Sequence, residues 1–284
     1  MAGATYRFFE FEVARTRRVS PSVQRVTFRG AKPGGLAEFA SGGRDQRFKL
    51  FFAKPGQDPD RALVPVDAGD GWYSVWRAMD PDERACMRTY TVRDQRRELG
   101  EVDVDFAVHV GAGPAGDWAL QALPGDRVTA LGPCAADNAG IDFRPPRGTD
   151  WILLAGDETA LPAIAGILDW LGPDTVVRAW IEIGHSEDVQ DLPTWADAKI
   201  TWLVRGAGQS LHRAISAARL PVGLAYAWIA GEAGDVRTLR RHLVGPDADG
   251  GRGIDRSRVT FTGYWRRGAS EEDLLAELAA AGTA

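Results

Sequence analysis

The rhythm of this 284-residue chain changes across Phe143-Arg144-Pro145-Pro146-Arg147-Gly148-Thr149-Asp150, and that change limits what it can fold into. Before it, short runs alternate apolar and polar residues: Ser22 to Arg29, Arg47 to Phe52, Cys86 to Val92, Glu101 to His109 and Arg127 to Leu131. Val102, Val104, Phe106 and Val108 show the period of two that turns one face of a strand inward. Turn residues such as Pro124-Gly125-Asp126 separate the runs, which reads as a small antiparallel barrel. The Asp-, Pro- and Gly-rich stretch from Pro55 to Glu83 reads as a long excursion on the barrel rim. After the change, strands alternate with helices. Trp151 to Ala155, Val176 to Ile183, Ile200 to Val204, Ala225 to Ala230 and Val259 to Thr262 read as strands. Ala160 to Leu171, Leu211 to Arg219 and Val236 to Leu243 read as helices. Such alternation builds a parallel sheet with helices on both faces. Ser270 and Asp273 can cap a last helix, Glu271 to Ala281. The expected organisation is a barrel domain over 1–143, a linker over 144–150 and an α/β domain over 151–284.

Composition removes several function classes. A net charge of -5 argues against a general nucleic-acid binder, which should be basic. Cys86 and Cys134 show no C-x-x-C spacing and read as small packed side chains in a reducing compartment. His109, His185, His212 and His242 share no metal spacing, so no metal site is expected. No G-x-S-x-G and no Ser-His-Asp ordering supports hydrolysis. Met1 to Glu10 lacks an apolar signal region, and no apolar run approaches the ~20 residues of a membrane span. A soluble, cytoplasmic monomer is expected.

Three motifs carry the chemistry. Met87-Arg88-Thr89-Tyr90-Thr91-Val92-Arg93 places a guanidinium, a ring and a hydroxyl close together, suited to a flat anionic ligand. Gly111-Ala112-Gly113-Pro114-Ala115-Gly116 fits G-x-G-x-x-G, but it follows a β-rich half, not a βαβ unit, and opens a short helix, Trp118 to Leu123. A phosphate-binding turn is the better reading than a Rossmann site, because a helix N-terminus suits a pyrophosphate. Gly156-Asp157-Glu158-Thr159-Ala160-Leu161-Pro162 follows an apolar strand and opens a helix, where open α/β sheets bind ligands. Pro162 falls in the first turn of that helix, where its missing N–H costs nothing. Basic residues add two further runs. Arg47 and Lys49 share one face of a strand, and Trp265-Arg266-Arg267 reads as a loop after the last strand.

This combination resembles the ferredoxin-reductase-like flavoenzymes, and among them the siderophore-interacting protein family of ferric-siderophore reductases. The resemblance spans nearly the whole chain. It includes Asp45-x-x-x-Lys49-Leu50, the Arg88 to Arg93 cluster, Asp105-Phe106 to His109, Gly113 to Ala119, Gly156 to Pro162 and Gly263 to Gly268. It implies a Greek-key FAD-binding barrel followed by a ferredoxin-NADP reductase-like α/β domain. Arg88, Tyr90, Thr91 and Val92 would hold the flavin and a phosphate. His109 would lie beside the flavin, with Gly113, Pro114, Ala115, Trp118 and Ala119 on the pyrophosphate side. Asp157, Glu158, Thr159 and Ala160 would take NADPH or NADH. Glu182, near the end of the second α/β strand, suits the ribose hydroxyls of NADH. Arg205, at the end of the third, suits the extra phosphate of NADPH, which the family favours. Lys49, Arg47, Arg266 and Arg267 would attract an anionic ferric siderophore. Where the family often has His, this chain has Arg47, which keeps the charge but cannot titrate near neutrality. No catalytic side chain is required, because the cofactor carries the chemistry. The alternatives are a related reductase with a free flavin, quinone or protein acceptor, and a non-catalytic siderophore carrier.

Overall fold

The computed structural model describes residues 5–54, 56–58, 62–108, 113–246, 248, 250–270, 272–273 and 276–277. The chain forms two compact units, one of Met1–Val19 with Val23–Ile141 and one of Ser20–Ser22 with Asp142–Ala284.

The first unit is an antiparallel sheet of seven strands: β1 (Tyr6–Ser20), β2 (Val23–Gly30), β3 (Arg47–Phe52), β4 (Cys86–Thr91), β5 (Asp94–Arg96), β6 (Glu101–Ala107) and β7 (Arg127–Pro133). Their order is β4-β3-β7-β1-β2-β6-β5. β4 and β5 end opposite sides of that order, yet only Val92 and Arg93 separate them in sequence. The sheet must therefore curl. Two consecutive amides make the closure, Val92 N–H donating to Gln46 C=O at 2.8 Å and Arg93 N–H to Asp103 C=O at 2.9 Å. Inside lie alternate residues of four strands: Phe9, Phe11 and Val13 of β1, Val26 and Phe28 of β2, Phe48, Leu50 and Phe52 of β3, and Val102, Val104 and Phe106 of β6.

Two elements here go beyond the sequence reading. β1, with 15 residues, is absent from the strands read from sequence. Its exposed residues, Arg7, Glu10, Arg15, Arg17 and Arg18, are charged, and Arg15 is neutralised across the surface by Glu101 at 2.5 and 2.8 Å. The excursion from Pro55 to Glu83 contains a helix, α1 (Trp72–Ala78), pinned by Trp76, whose indole N–H donates to Ala85 C=O at 3.1 Å. A second helix, α2 (Gly113–Gln121), corrects the expected Trp118 to Leu123. It starts at Gly113 because Pro114 is tolerated in a first turn, and Ala115 and Ala119 bury its inner face.

The second unit is a five-stranded parallel sheet of β8 (Trp151–Gly156), β9 (Val176–Ile183), β10 (Asp197–Val204), β11 (Ala225–Glu232) and β12 (Val259–Trp265). Its helices are α3 (Leu161–Trp170), α4 (Leu211–Ala217) and α5 (Ala233–Val244). The order is β10-β9-β8-β11-β12. Every residue of β8 is buried, because both faces are covered. Ile152 and Leu154 join the core with Ile164 and Leu168 of α3, while Leu153 and Ala155 join Ile215 of α4 and Leu239 of α5. Trp265 ends β12 instead of lying in a loop. Of the expected last helix, 272–273 and 276–277 are helical and the rest lies outside the described residues. Among the described residues no helix is long and apolar enough to cross a membrane.

Candidate functional sites in the two units

In the first unit, β4 stands against β3 with Tyr90 opposite Phe48, Arg88 opposite Leu50, Thr91 opposite Arg47 and Thr89 opposite Lys49. Residues directly opposite share a face. Arg88 and Tyr90 therefore lie on one face, and Thr91, Arg47 and Lys49 on the other. Tyr90 is half-buried, its ring 4.4 Å from that of Phe106 and 6.4 Å from that of Phe52. One edge of the ring is thus anchored in the core while part of it stays reachable. Arg88 Nη1 donates to Met87 C=O at 2.7 Å. Thr91 and Val92 are buried at 6% and 2% exposure.

Gly113 opens α2 with φ +78°, and a Cβ there would meet nothing within 4 Å. The first amides of a helix have no acceptor inside it, so this open end can receive an anion. Gly113 and Pro114 are partly exposed, whereas Ala115 and Ala119 face the core. Trp118 packs parallel to Phe28 at 6.1 Å and against Phe52 at 5.1 Å, so its ring is first a packing group. His109 lies outside the described residues. Open backbone at Gly113 suits an anion such as a pyrophosphate, and the half-buried ring of Tyr90 with Arg88 on the same face of β4 suits a flat anionic ligand.

The basic residues divide between the units. Lys49 Nζ donates to Thr89 Oγ1 at 2.9 Å, on the face that also carries Arg47. Arg266 and Arg267 belong to the second unit. Arg266 makes a two-pronged pair with Glu277 at 2.7 and 2.5 Å, and Arg267 N–H donates to Glu232 Oε1 at 3.3 Å.

In the second unit the strand order reverses between β8 and β11, and ligands bind outside the carboxyl ends of strands at such a point. The turn after β8 is built on close approach. A Cβ at Gly156 would lie 2.4 Å from Ala160 Cβ and 2.7 Å from Ala230 O. Asp157, 4% exposed, accepts four hydrogen bonds. Thr159 N–H and Oγ1–H donate at 2.9 and 2.5 Å, Glu232 N–H at 2.9 Å and Trp265 Nε1–H at 2.7 Å. One carboxylate thereby ties together the ends of β8, β11 and β12. Burial, aided by the neighbouring Glu158, pushes its pKa up, and the donors offset part of that rise. Gly231 sits at φ +140°, and a Cβ there would come within 2.6 Å of Asp157 Oδ2. Glu232 caps α5, accepting from Gly234 N–H at 2.6 Å and Asp235 N–H at 2.9 Å. Beside these groups opens a narrow recess of about 20 Å³, lined in part by Asp157, Glu182, Arg205, Glu232, Trp265 and Arg267.

Glu158, Glu182 and Arg205 form one cluster. Arg205 donates to both oxygens of Glu158 at 2.9 and 2.6 Å and to Glu182 Oε1 at 3.0 Å. Its bonds to Glu158 outweigh desolvation and raise the Arg205 pKa further above its ordinary value. The acidic and basic cues for nucleotide choice are therefore joined in one ion-pair network. Thr159 is half-buried at the turn, and Ala160 is fully buried beneath it. Sequence reading missed Gly231, Glu232 and Trp265 as parts of this site. The available signal was the second strand–turn–helix, Ala230-Gly231-Glu232, at the other side of the switch point.

Comparison with known proteins places both units. Residues 12–137 match the siderophore-interacting FAD-binding domain, and residues 149–268 match the siderophore-interacting protein domain. The chain is 32% identical over 266 residues to ferric vibriobactin reductase ViuB of Vibrio cholerae, covering 92% of this chain and 90% of that one. It is 30% identical over 264 residues to the NADPH-dependent ferric-chelate reductase of Escherichia coli, covering 91% and 93%. The crystal structure of the siderophore-interacting protein SipS from Aeromonas hydrophila superposes with a TM-score of 0.76 at 29% identity, covering 99% of this chain and all of that one. A curled antiparallel sheet with an FAD-binding signature, a parallel sheet with a switch-point recess, and relatives matched over nine-tenths of their length lead to one assignment: the chain belongs to the siderophore-interacting protein family.

Proposed function

We propose that this protein is an FAD-dependent reductase that takes electrons from NADPH or NADH and delivers them to Fe(III) in a siderophore, in the cytoplasm where the reduced nucleotide is made. The observation that carries this reading is the switch-point recess of the second unit, present in a chain whose first unit matches an FAD-binding domain. The names of the two reductases matched over nine-tenths of the chain support the acceptor. Bound FAD supplies conversion between a two-electron donor and a one-electron acceptor.

The chain's own residues bind, orient and steer. The barrel over 1–143 would hold FAD, with Tyr90 against the ring, Arg88 and the open end of α2 at Gly113 to Ala115 taking phosphate charge, and Thr91 and Val92 fixing the strand beneath. The α/β unit would hold the nucleotide, with Asp157 to Ala160 shaping the turn and Glu182 and Arg205 near the ribose. Lys49, Arg47, Arg266 and Arg267 would draw an anionic chelate toward a protein whose net charge is -5. Fe(II) is softer than Fe(III), so a hard oxygen chelator holds the product less tightly and releases it.

Anaerobic addition of NADPH or NADH to the FAD-loaded protein should bleach the yellow flavin absorbance, and a ferric siderophore added next should restore it. Flavin that stays yellow with both nucleotides would end the proposal.

A further inference from the structure

The five strands of the second unit run parallel, so the segments that lead into them meet at one edge of the sheet. Asp197, Val176, Trp151 and Ala225, the first residues of β10, β9, β8 and β11, stand in one row. This amino edge is opposite the carboxyl ends, where the recess lies. Large apolar side chains stand open on it. Trp195 and Val222, just ahead of β10 and β11, are 81% and 95% exposed, and Trp170 and Leu224 are exposed as well. Trp170 ends α3, which returns to this edge from the carboxyl end of β8. Thr194 Oγ1–H donates to Leu168 C=O at 2.6 Å and so holds the Trp195 segment against the end of that helix. Elsewhere in this unit, among the described residues, only Val189 and Phe261 are large apolar groups of comparable exposure. Exposed apolar groups gathered at one edge mark an interaction surface. The edge is also charged in halves. Asp169, Asp174 and Asp197 are exposed around the entries to β9 and β10, and Arg219 and Arg256 around the entries to β11 and β12. Arg178, 3.9 Å from Asp197, and Asp255, next to Arg256, offset only part of this division.

We infer that this amino edge is the contact surface between two copies of the chain, in place of the monomer expected from sequence. β8 is the middle strand of the order β10-β9-β8-β11-β12. A two-fold axis normal to the sheet at the start of β8 therefore lays the acidic half of one copy on the basic half of the other, twice over. In that pairing the segment ahead of β9, with Asp174, meets the segment ahead of β11 in the second copy, with Arg219 and Val222. Trp195, ahead of β10, meets Arg256, ahead of β12, and an arginine over an indole face is attracted to it. A two-fold axis along the edge would instead set every acid and every arginine against its own copy. An anionic lipid surface would be repelled by the acidic half, which carries both tryptophans. The contact runs about 19 Å from β10 to β12, at ~4.8 Å per strand. It leaves the carboxyl ends of the strands open in both copies.

The test is sedimentation equilibrium of the FAD-loaded protein, with variants in both halves of the edge. Wild type should show a monomer–dimer equilibrium whose Kd rises with salt. Trp195→Ser should raise that Kd at least about tenfold, as for an aromatic anchor at the centre of a contact. Asp174→Arg and Arg219→Asp should each raise it about tenfold, because like charges then face each other across the axis. The variant carrying both exchanges should return to within about threefold of wild type, which also shows that each single variant loses the contact and not the fold. Protein that stays monomeric up to about 500 µM would overturn the inference, and so would a dimer indifferent to all three residues. Monomer that sediments with phosphatidylglycerol vesicles and not with phosphatidylcholine vesicles would overturn it too, and would give the edge to a lipid surface. The reductase reading stands under each of these outcomes, since the edge lies away from the recess.

Discussion

Asp157 shows how one side chain can organise a site. A buried carboxylate is unfavourable unless donors surround it, and here four do so from three strand ends. Gly231 makes that arrangement possible. Its φ of +140° disfavours any side chain, and a Cβ would sit 2.6 Å from the carboxylate. Gly231→Ala should cost roughly 2–3 kcal/mol of stability in the second unit, read by urea unfolding. It should also weaken binding of the nucleotide proposed for this site, because the displaced carboxylate lets go of the turn at Thr159. None of this was legible locally. Asp157 meets Glu232 75 positions away and Trp265 108 positions away, and no spacing rule links residues that far apart. The turn after β8 was legible because its glycine, acids and proline are contiguous.

At the scale of the element, β2, β5 and β6 carry an outer ladder of ion pairs. Arg25 holds Asp105 at 2.6 and 2.8 Å, and Thr27 Oγ1–H donates to Asp103 at 2.6 Å. Arg96 reaches Asp103 at 2.8 and 2.6 Å. Burial works to raise the Asp103 pKa, but Arg96 and Thr27 outweigh it and hold the carboxyl below its ordinary range. The folded protein therefore gives up this proton more readily than the unfolded chain. The resulting stability is complete above the unfolded pKa of ~4 and is lost as pH falls through the lower, folded value. Asp103→Asn should cost about 2–3 kcal/mol at neutral pH, less than a fully buried pair because Arg96 is partly open to water. Its unfolding free energy should also fall less between pH 5 and pH 2 than that of wild type, by urea titration at each pH. β8, β9 and β11 were readable almost to their ends from their apolar runs, whereas the half-exposed edge strands β10 and β12 each extend three residues beyond the run that marked them. β1 was not, although Phe9, Phe11 and Val13 alternate inward. Arg15, Arg17 and Arg18 dilute the pattern in its second half, and the partner that neutralises Arg15 is Glu101, in another strand.

At the scale of the whole molecule, the succession of a curled antiparallel sheet and a parallel sheet with helices was legible from the change of rhythm near residue 144. The cationic groups were legible as residues but not in their engagements. Arg266 is paired with Glu277, and Arg205 with Glu158 and Glu182, so neither enters the chemistry as an isolated charge. The central claim is that electrons from a nicotinamide end on iron held by a siderophore. The most direct measurement is anaerobic turnover of the FAD-loaded protein with NADPH or NADH and a ferric siderophore, with ferrous iron trapped by a colour-forming Fe(II) chelator. The account predicts one trapped ferrous ion for every electron the nucleotide gives up. Nucleotide consumed with no ferrous iron trapped, or ferrous iron appearing at the same rate without the protein, would contradict it.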